Sequence, residues 1–285
     1  MALKVLKTVE EVRLFSQGLA RSGTSLALVP TMGFLHEGHL SLMREGARRC
    51  DLVATSIFVN PTQFGPKEDL GRYPRDLEGD LAKCERAGAT VVFTPEPAEI
   101  YPPSYQTYVT VEQVSQGLCG EKRPGHFRGV ATVVTKLLAM FRPTIALFGE
   151  KDYQQLQVIS ALNRDLNLGV TIIGLPTVRE ADGLAMSSRN TYLSKDERQR
   201  ALALSRGLKA AQAAARGGER SVEKLLGLVR AELQQAQVRE DYVAICHATT
   251  LEPLVTLAHG VPARALVAGY LGTTRLIDNL ALALG

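Results

Sequence analysis

Ser25-Leu26-Ala27-Leu28-Val29-Pro30-Thr31-Met32-Gly33-Phe34-Leu35-His36-Glu37-Gly38-His39-Leu40 is the stretch on which the reading of this chain turns. A short β-rich run, Ser25 to Val29, leads into a turn with Gly33 and Gly38, and helical periodicity follows over residues 40–49. A strand with no polar alternation, followed by an amphipathic helix, is the unit of a parallel sheet covered on both faces. The unit recurs on the C-terminal side. Apolar runs at 52–59, 90–93, 144–148 and 170–175 alternate with helical stretches at 77–87, 130–140 and 153–166. The expected fold is therefore α/β, a doubly wound parallel sheet, with ligands beyond the carboxyl ends of its strands.

Two long segments interrupt the alternation, 60–75 and 95–129, and loops of that length in a compact domain are usually functional. The second ends in Arg123-Pro124-Gly125-His126-Phe127-Arg128-Gly129, a stiff basic approach to a helix. After Asn190 the pattern changes. Residues 195–215 and 221–236 read as helices, and strands follow at 242–246, 263–270 and 275–280. Helices followed by strands predict a smaller α+β domain, giving domains at 1–186 and 187–285 with the junction within 183–190.

The 285 residues are 45% hydrophobic, which excludes a mainly disordered chain, and no apolar run reaches the roughly 20 residues of a membrane-spanning helix. Glu10 and Glu11 fall inside what would be the apolar core of an export signal, so the start does not read as one. Cys50, Cys84, Cys119 and Cys246 form no CxxC pair, which predicts reduced thiols in a cytoplasmic protein rather than a zinc site or disulfides. The excess of Lys and Arg over Asp and Glu is 33 − 29 = 4, spread along the chain. No basic cluster with interleaved aromatics marks a nucleic-acid surface, and no such partner is expected.

The polar signals follow predicted strands. At 29–40, backbone N–H groups and the positive end of a helix dipole favour an anion. His36 and His39, two of the five histidines, sit there three residues apart. Imidazoles so placed can donate to phosphate oxygens and to charge growing at an attacked phosphorus. The pair also admits a metal site, although it lacks the HExxH spacing and a third ligand, and it admits packing or capping histidines. The second signal is Phe148-Gly149-Glu150-Lys151-Asp152-Tyr153, where Gly149 lets a ligand approach, Lys151 neutralises phosphate and Asp152 caps a helix. A helix cap beside a solvated lysine explains it equally well. The third is Met186-Ser187-Ser188-Arg189-Asn190, two hydroxyls and a guanidinium on one loop, or else an ordinary polar linker. Together they are a donor set suited to a triphosphate. His126 reads as structural or a loop contact, and His247 and His259 as surface or packing residues. Glu78 and Asp80 read as an exposed helix face, with a water-mediated contact to Mg²⁺ as the alternative.

Neither GxxxxGK[ST] nor GxGxxG occurs. His36-Glu37-Gly38-His39 with Met186-Ser187-Ser188-Arg189 instead resembles the paired HxGH and KMSKS-type loops of the class I nucleotidyltransferase and aminoacyl-tRNA synthetase superfamily, and with it a Rossmann-like sheet. Pro30-Thr31-Met32-Gly33, Ser56-Ile57-Phe58-Val59-Asn60-Pro61-Thr62-Gln63-Phe64 and Arg72-Tyr73-Pro74-Arg75 narrow the likeness. So do Arg123 to Gly129, Phe148 to Asp152, Ser187 to Asn190 and Arg275-Leu276-Ile277-Asp278-Asn279. In this order, over the whole chain, they resemble the pantothenate synthetase family. One departure is Cys246-His247-Ala248, where the family has an acidic residue before its Thr-Leu pair.

The resemblance implies condensation of pantoate with β-alanine, converting ATP to AMP and pyrophosphate through a pantoyl adenylate. It implies that Met32, Gly33, Phe34, Leu35, His36, Glu37, Gly38 and His39 bind ATP together with Gly149, Glu150, Lys151 and Asp152. Val178, Met186, Ser187, Ser188 and Arg189 complete that set. Gln63 and Gln155 would hold pantoate, and Gln63 also β-alanine. His36, His39, Lys151, Ser187, Ser188 and Arg189 would carry the catalysis, with His39 a proton donor. No residue would ligate metal directly, Mg²⁺ accompanying the pyrophosphate. A homodimer and a small C-terminal lid domain are further implications. Two other readings stay open here: a nucleotidyltransferase whose product retains the nucleotide, and a non-catalytic nucleotide- or RNA-binding relative.

Overall fold

A computed structural model describes residues 3–66 and 68–285. Met1, Ala2 and Lys67, the last within the loop expected over 60–75, lie outside the described residues. In chain order the elements of the first part are β1 (Lys4–Leu6), α1 (Val9–Ser22), β2 (Leu26–Thr31), α2 (Glu37–Arg49), β3 (Leu52–Ile57), α3 (Leu77–Arg86) and β4 (Val91–Phe93). Next come α4 (Pro97–Ile100), α5 (Leu118–Lys122), α6 (His126–Phe141), β5 (Ile145–Gly149), α7 (Tyr153–Asp165) and β6 (Thr171–Leu175). The later elements are α8 (Lys195–Arg216), α9 (Val222–Gln235), β7 (Arg239–His247), β8 (Ala263–Leu271) and β9 (Thr274–Leu282).

The six early strands form one all-parallel sheet in the order β1-β4-β3-β2-β5-β6. From β2 the chain steps outward to β3 and β4, then returns to the other side of β2 as β5. The strand order therefore reverses between β2 and β5, the place where α/β sheets open a crevice for ligands. Alternate residues of β2 serve opposite faces: Ala27 and Val29 pack with Leu42, Met43, Cys84 and Leu147, while Leu26 and Leu28 are equally buried. Gly46 lets α2 lie close on the sheet, because a Cβ there would stand 3.0 Å from the Cβ of Ala27. On α6, Phe141 meets Phe93 edge to face at 5.9 Å. Burial pushes the Cys84 thiol up to about 12.

β1, α1, α4 and α5 escaped the sequence reading. Thr8 and Glu11 form a reciprocal capping box at the start of α1. Other expectations shift. α2 begins at Glu37 rather than 40, and α6 begins at His126 rather than 130. The expected 95–129 loop thus contains α4 and α5 and ends inside α6.

In the later part, α8 and α9 cover one face of the antiparallel sheet β7-β8-β9, burying Leu204, Leu208, Leu225, Val229, Val267 and Leu271. The chain divides into two compact units: Met1–Glu150 with Gln155–Pro176, and Lys151–Gln154 with Thr177–Gly285. The division falls ahead of the 186/187 boundary read from sequence. The reason is a hairpin in which Arg179 bridges Ala185 and Arg179 forks onto Asp278 of β9.

Candidate active site

Thr31 closes β2 with its Oγ1 donating to the Ser56 carbonyl at 2.7 Å and accepting from Gly33 N at 3.3 Å. The next two residues take left-handed backbone, Gly33 at φ +83° and Phe34 at φ +49°. A Cβ on Gly33 would meet Ile57 Cγ2 at 3.0 Å and Asp80 Oδ2 at 3.1 Å. Asp80 holds this turn. Its carboxylate accepts from Phe34 N at 2.6 Å and Leu35 N at 2.7 Å, with Lys83 Nζ 3.6 Å away. At 1% exposure Asp80 is a buried clasp, which corrects its reading as part of an exposed helix face. Asp80 shares the buried side of α3 with Cys84, one turn further on.

The turn delivers the chain to α2 with both histidines at its mouth. His36 is the N-cap, and its Nδ1 accepts from Gly38 N at 3.2 Å. His39 Nδ1 accepts from His36 N at 3.3 Å, so the two imidazoles close a reciprocal capping box. Their ring centroids lie 4.1 Å apart with the planes tilted by 39°. A neutral imidazole that accepts at Nδ1 must carry its proton on Nε2. Both rings therefore carry the proton on Nε2, and they sit at a helix N-terminus, where the dipole favours negative charge. Capping, one of the readings the sequence left open, is what the Nδ1 atoms of the two rings do here.

Gln63, 8% exposed, follows β3 in a short 3-10 turn at Pro61–Gln63. Its Oε1 accepts from Asn60 Nδ2 at 3.1 Å and its Nε2 donates to Met32 Sδ at 2.9 Å. Asn60 is itself locked, with its Oδ1 accepting from Tyr101 and Thr62 hydroxyls, each at 2.9 Å, and its amide donating to Gly129 O at 3.1 Å. Burial pushes the Tyr101 phenol up to about 12, which keeps it a donor. The Gln63 carbonyl accepts from Arg123 at 3.3 Å and lies 2.9 Å from His126 Nδ1. Arg123 forks onto Glu68 at 2.7 and 2.8 Å. Burial of Glu68 works against its ionisation, but the Arg123 hydrogen bonds and charge prevail and hold the carboxyl below its ordinary range. His126 is thus a contact that shapes the Gln63 turn. Gln155 lies on α7, partly buried in the same unit.

Gly149 ends β5, next to β2 in the sheet, and nothing stands within 4 Å of where its Cβ would be. Glu150 opens a 3-10 turn that continues through Lys151 and Asp152. In the second unit, Lys151 Nζ lies 3.7 Å from Asp152, and its carbonyl accepts from Asn279 Nδ2 at 2.9 Å. Met186 N donates to Val178 O at 3.0 Å, so the two residues are paired across a hairpin. Arg198, near the start of α8, binds Glu180 and Asp182 at that hairpin's tip, both at 2.7 Å. Ser187 caps the 3-10 turn at Ser188–Tyr192 by accepting from Arg189 N, and Ser188 is buried. Met32 to His39 and Gln63 are thus joined in the first unit, and Lys151, Val178 and Met186 to Arg189 belong to the second. The contacts of Asn60 and Asn279 escaped the sequence reading, and Asp80 was read as exposed; for Asn279 the signal was its place in a motif that otherwise had no role.

Among the described residues no group of three or more His, Cys, Asp or Glu could hold a metal ion, and no helix is long and apolar enough to cross a membrane.

The chain as a whole is similar to known proteins. A family model described as pantoate-beta-alanine ligase matches residues 4–281. A pantothenate synthetase of Myxococcus xanthus is 69% identical over 283 residues, covering 99% of this chain and 97% of that one. The crystal structure of pantothenate synthetase from Thermus thermophilus superposes with a TM-score of 0.92 at 46% identity, over 98% of this chain and 99% of that one. The structure of pantoate-beta-alanine ligase from Francisella tularensis, complexed with beta-gamma ATP and beta-alanine, gives 0.81 at 31% identity over 98% of each chain. With the family model spanning nearly every residue and the site turns in place, the chain belongs to the pantoate-beta-alanine ligase family.

Proposed function

We propose that this chain joins pantoate to β-alanine, converting ATP to AMP and pyrophosphate by way of a pantoyl adenylate. The family is one of ligases in pantothenate biosynthesis, and ATP and β-alanine occur together in the complex of its Francisella tularensis member. The observation that carries the reading is the histidine capping box, which sets two imidazoles at the N-terminus of α2 directly after β2.

The pantoate carboxylate, with an ordinary pKa near ~4, is already ionised and needs no general base. One of its oxygens attacks the α-phosphorus while the bond to the bridging oxygen of pyrophosphate breaks. What the protein supplies is position and neutralised charge. His36, His39, Lys151, Ser187, Ser188 and Arg189 are the proposed donors to the phosphates, with Met32 to Leu35, Glu37, Gly38, Gly149, Glu150, Asp152, Val178 and Met186 completing the ATP site. Gln63 and Gln155 are the proposed pantoate contacts, each offering a donor and an acceptor to a substrate with hydroxyls and a carboxylate. In the second step the β-alanine amine attacks the acyl carbon, the bond from that carbon to the phosphate oxygen of AMP breaks, and the proton shed by the nitrogen passes to the departing phosphate; His39 is the proposed hydrogen-bond donor to that phosphate.

The donor set fits Mg²⁺ carried on phosphate oxygens rather than in a protein cage, since the buried carboxylate nearest the turn, Asp80, is engaged by two backbone N–H groups. There it would supply neutralisation of triphosphate charge. A homodimer and a cytoplasmic location are also proposed, supported by the family resemblance. Sedimentation of the purified protein tests the first.

The decisive assay supplies pantoate, β-alanine and ATP and follows pantothenate, AMP and pyrophosphate. Pantothenate formation dependent on all three, and lost in His39→Ala, is the expected result. Turnover of another acid in place of pantoate, or a product that retains the nucleotide, would refute the reading.

A further inference from the structure

Arg275-Leu276-Ile277-Asp278-Asn279 took part in the family resemblance without a role. Its last two residues hold two different loops of the second unit from adjacent positions on β9. Asp278, 3% exposed, receives Arg179 in a fork of 2.7 and 2.9 Å. Arg179 also donates to Gly183 O at 3.1 Å, closing the hairpin on which Val178 pairs with Met186. Asn279, 2% exposed, serves the opposite face of the sheet, as strand alternation requires. Its Oδ1 accepts from Arg264 Nε at 2.7 Å, and its Nδ2 donates to Lys151 O at 2.9 Å.

The amide cannot be turned the other way. Arg264 has donors only, so Asn279 must give it Oδ1, which leaves Nδ2 for the Lys151 carbonyl. Arg264 is held in turn, its guanidinium 3.9 Å from the Tyr153 ring centroid. Asn279 N donates to Asp278 Oδ1 at 2.7 Å, joining the two anchors. These bonds explain why Lys151–Gln154 groups with the second unit although β5 and most of α7 belong to the first.

We propose that Asp278 and Asn279 are positioning residues that set the Lys151 turn and the 178–189 segment in register with each other for the phosphates of ATP. This rests on the reading above that both loops serve that nucleotide. A lysine ammonium rides on a flexible stem, so where it can act depends on where its backbone is held. Asp278 acts through Arg179, and Asn279 through Lys151.

The test is Asn279→Asp, which keeps the acceptor for Arg264 and sets a second acceptor against Lys151 O. Pyrophosphate release is expected to lose of the order of 10- to 100-fold in kcat/KM for ATP, with KM for β-alanine unchanged. In a Lys151→Ala background the same change is expected to alter the rate by less than about twofold, because coupled residues are not additive. A full further loss there, or a wild-type ATP parameter in the single variant, overturns the Asn279 assignment. Arg179→Lys breaks the fork at a partly exposed side chain, so it tests the other half even if Asn279→Asp fails to fold; an unchanged ATP KM overturns it. Calorimetric titration with ATP separates the two readings. If the wild-type protein made no pantothenate, the functional reading would fail, while weaker ATP binding by these variants would still support the positioning role, and equal binding would remove it.

Discussion

Asn60 donates its side-chain amide to Gln63 Oε1 at 3.1 Å, which fixes the Gln63 amide so that Nε2 is the end that donates onward. Asn60→Asp keeps the shape and removes that donor. Gln63 is then free to turn over, and a drop of the order of 10- to 100-fold in kcat/KM for pantoate is expected, by the cost of misplacing one substrate contact. Steady-state kinetics with pantoate varied checks this, and unchanged pantoate kinetics would remove Asn60 from the site.

His36 caps α2 and is proposed to donate to phosphate, and the two roles can be separated. His36→Ala loses both: about 1 kcal/mol of stability from the cap, and about 3 kcal/mol of barrier lowering, roughly a hundredfold in rate. His36→Asn restores a side-chain oxygen to the cap but not an Nε2–H. Its unfolding midpoint is expected near wild type while turnover stays low. Recovery of both together would make His36 a cap and nothing more.

The Glu68–Arg123 fork gives a pH signature. The carboxyl of Glu68 is held below its ordinary value, so the folded state binds its proton less readily than the unfolded chain. Its stabilisation is complete above the unfolded value and is lost as pH falls through the lower folded one. The pair keeps some contact with solvent, so about 1 kcal/mol is expected. Denaturant unfolding of wild type and Glu68→Gln should differ by that amount at neutral pH and converge in acid. A constant gap across pH would place the effect elsewhere.

Gly129 lies where α6 passes the Gln63 turn; a Cβ there would overlap the Thr62 carbonyl and come within 2.7 Å of Gln63 N. Gly129→Ala should cost about 1–3 kcal/mol, the range for forcing an atom into a packed site. Because the pressure falls on the Gln63 turn, KM for pantoate should rise as well. Thermal unfolding with pantoate kinetics reads both, and an undisturbed pantoate KM would show that the turn absorbs the added methyl.

The central strands could be read from sequence because buried parallel strands are near-continuous apolar runs. α1 was missed although Thr8 and Glu11 carry its cap, because its apolar residues do not keep to one face: Val12 is buried while Leu14 is exposed. α2 was started late because histidine is not among the usual N-cap residues. The candidate donors were legible since they are polar groups placed directly after strands. Their supports were not. Asp80 acts on backbone N–H groups 45 and 46 residues away, and Asn279 on a carbonyl 128 residues away, so only the folded chain joins them.

The reach of β9 back along the chain bears on how the protein is made. Translation runs from the amino end, so the hydrogen bonds that hold the Lys151 turn and the Arg179 hairpin must wait for partners 128 and 99 residues later. Until those residues leave the ribosome, the nascent polypeptide can complete its parallel sheet yet lacks the anchors for these two loops. Competence to hold the nucleotide should consequently appear last and abruptly, trailing sheet formation during synthesis.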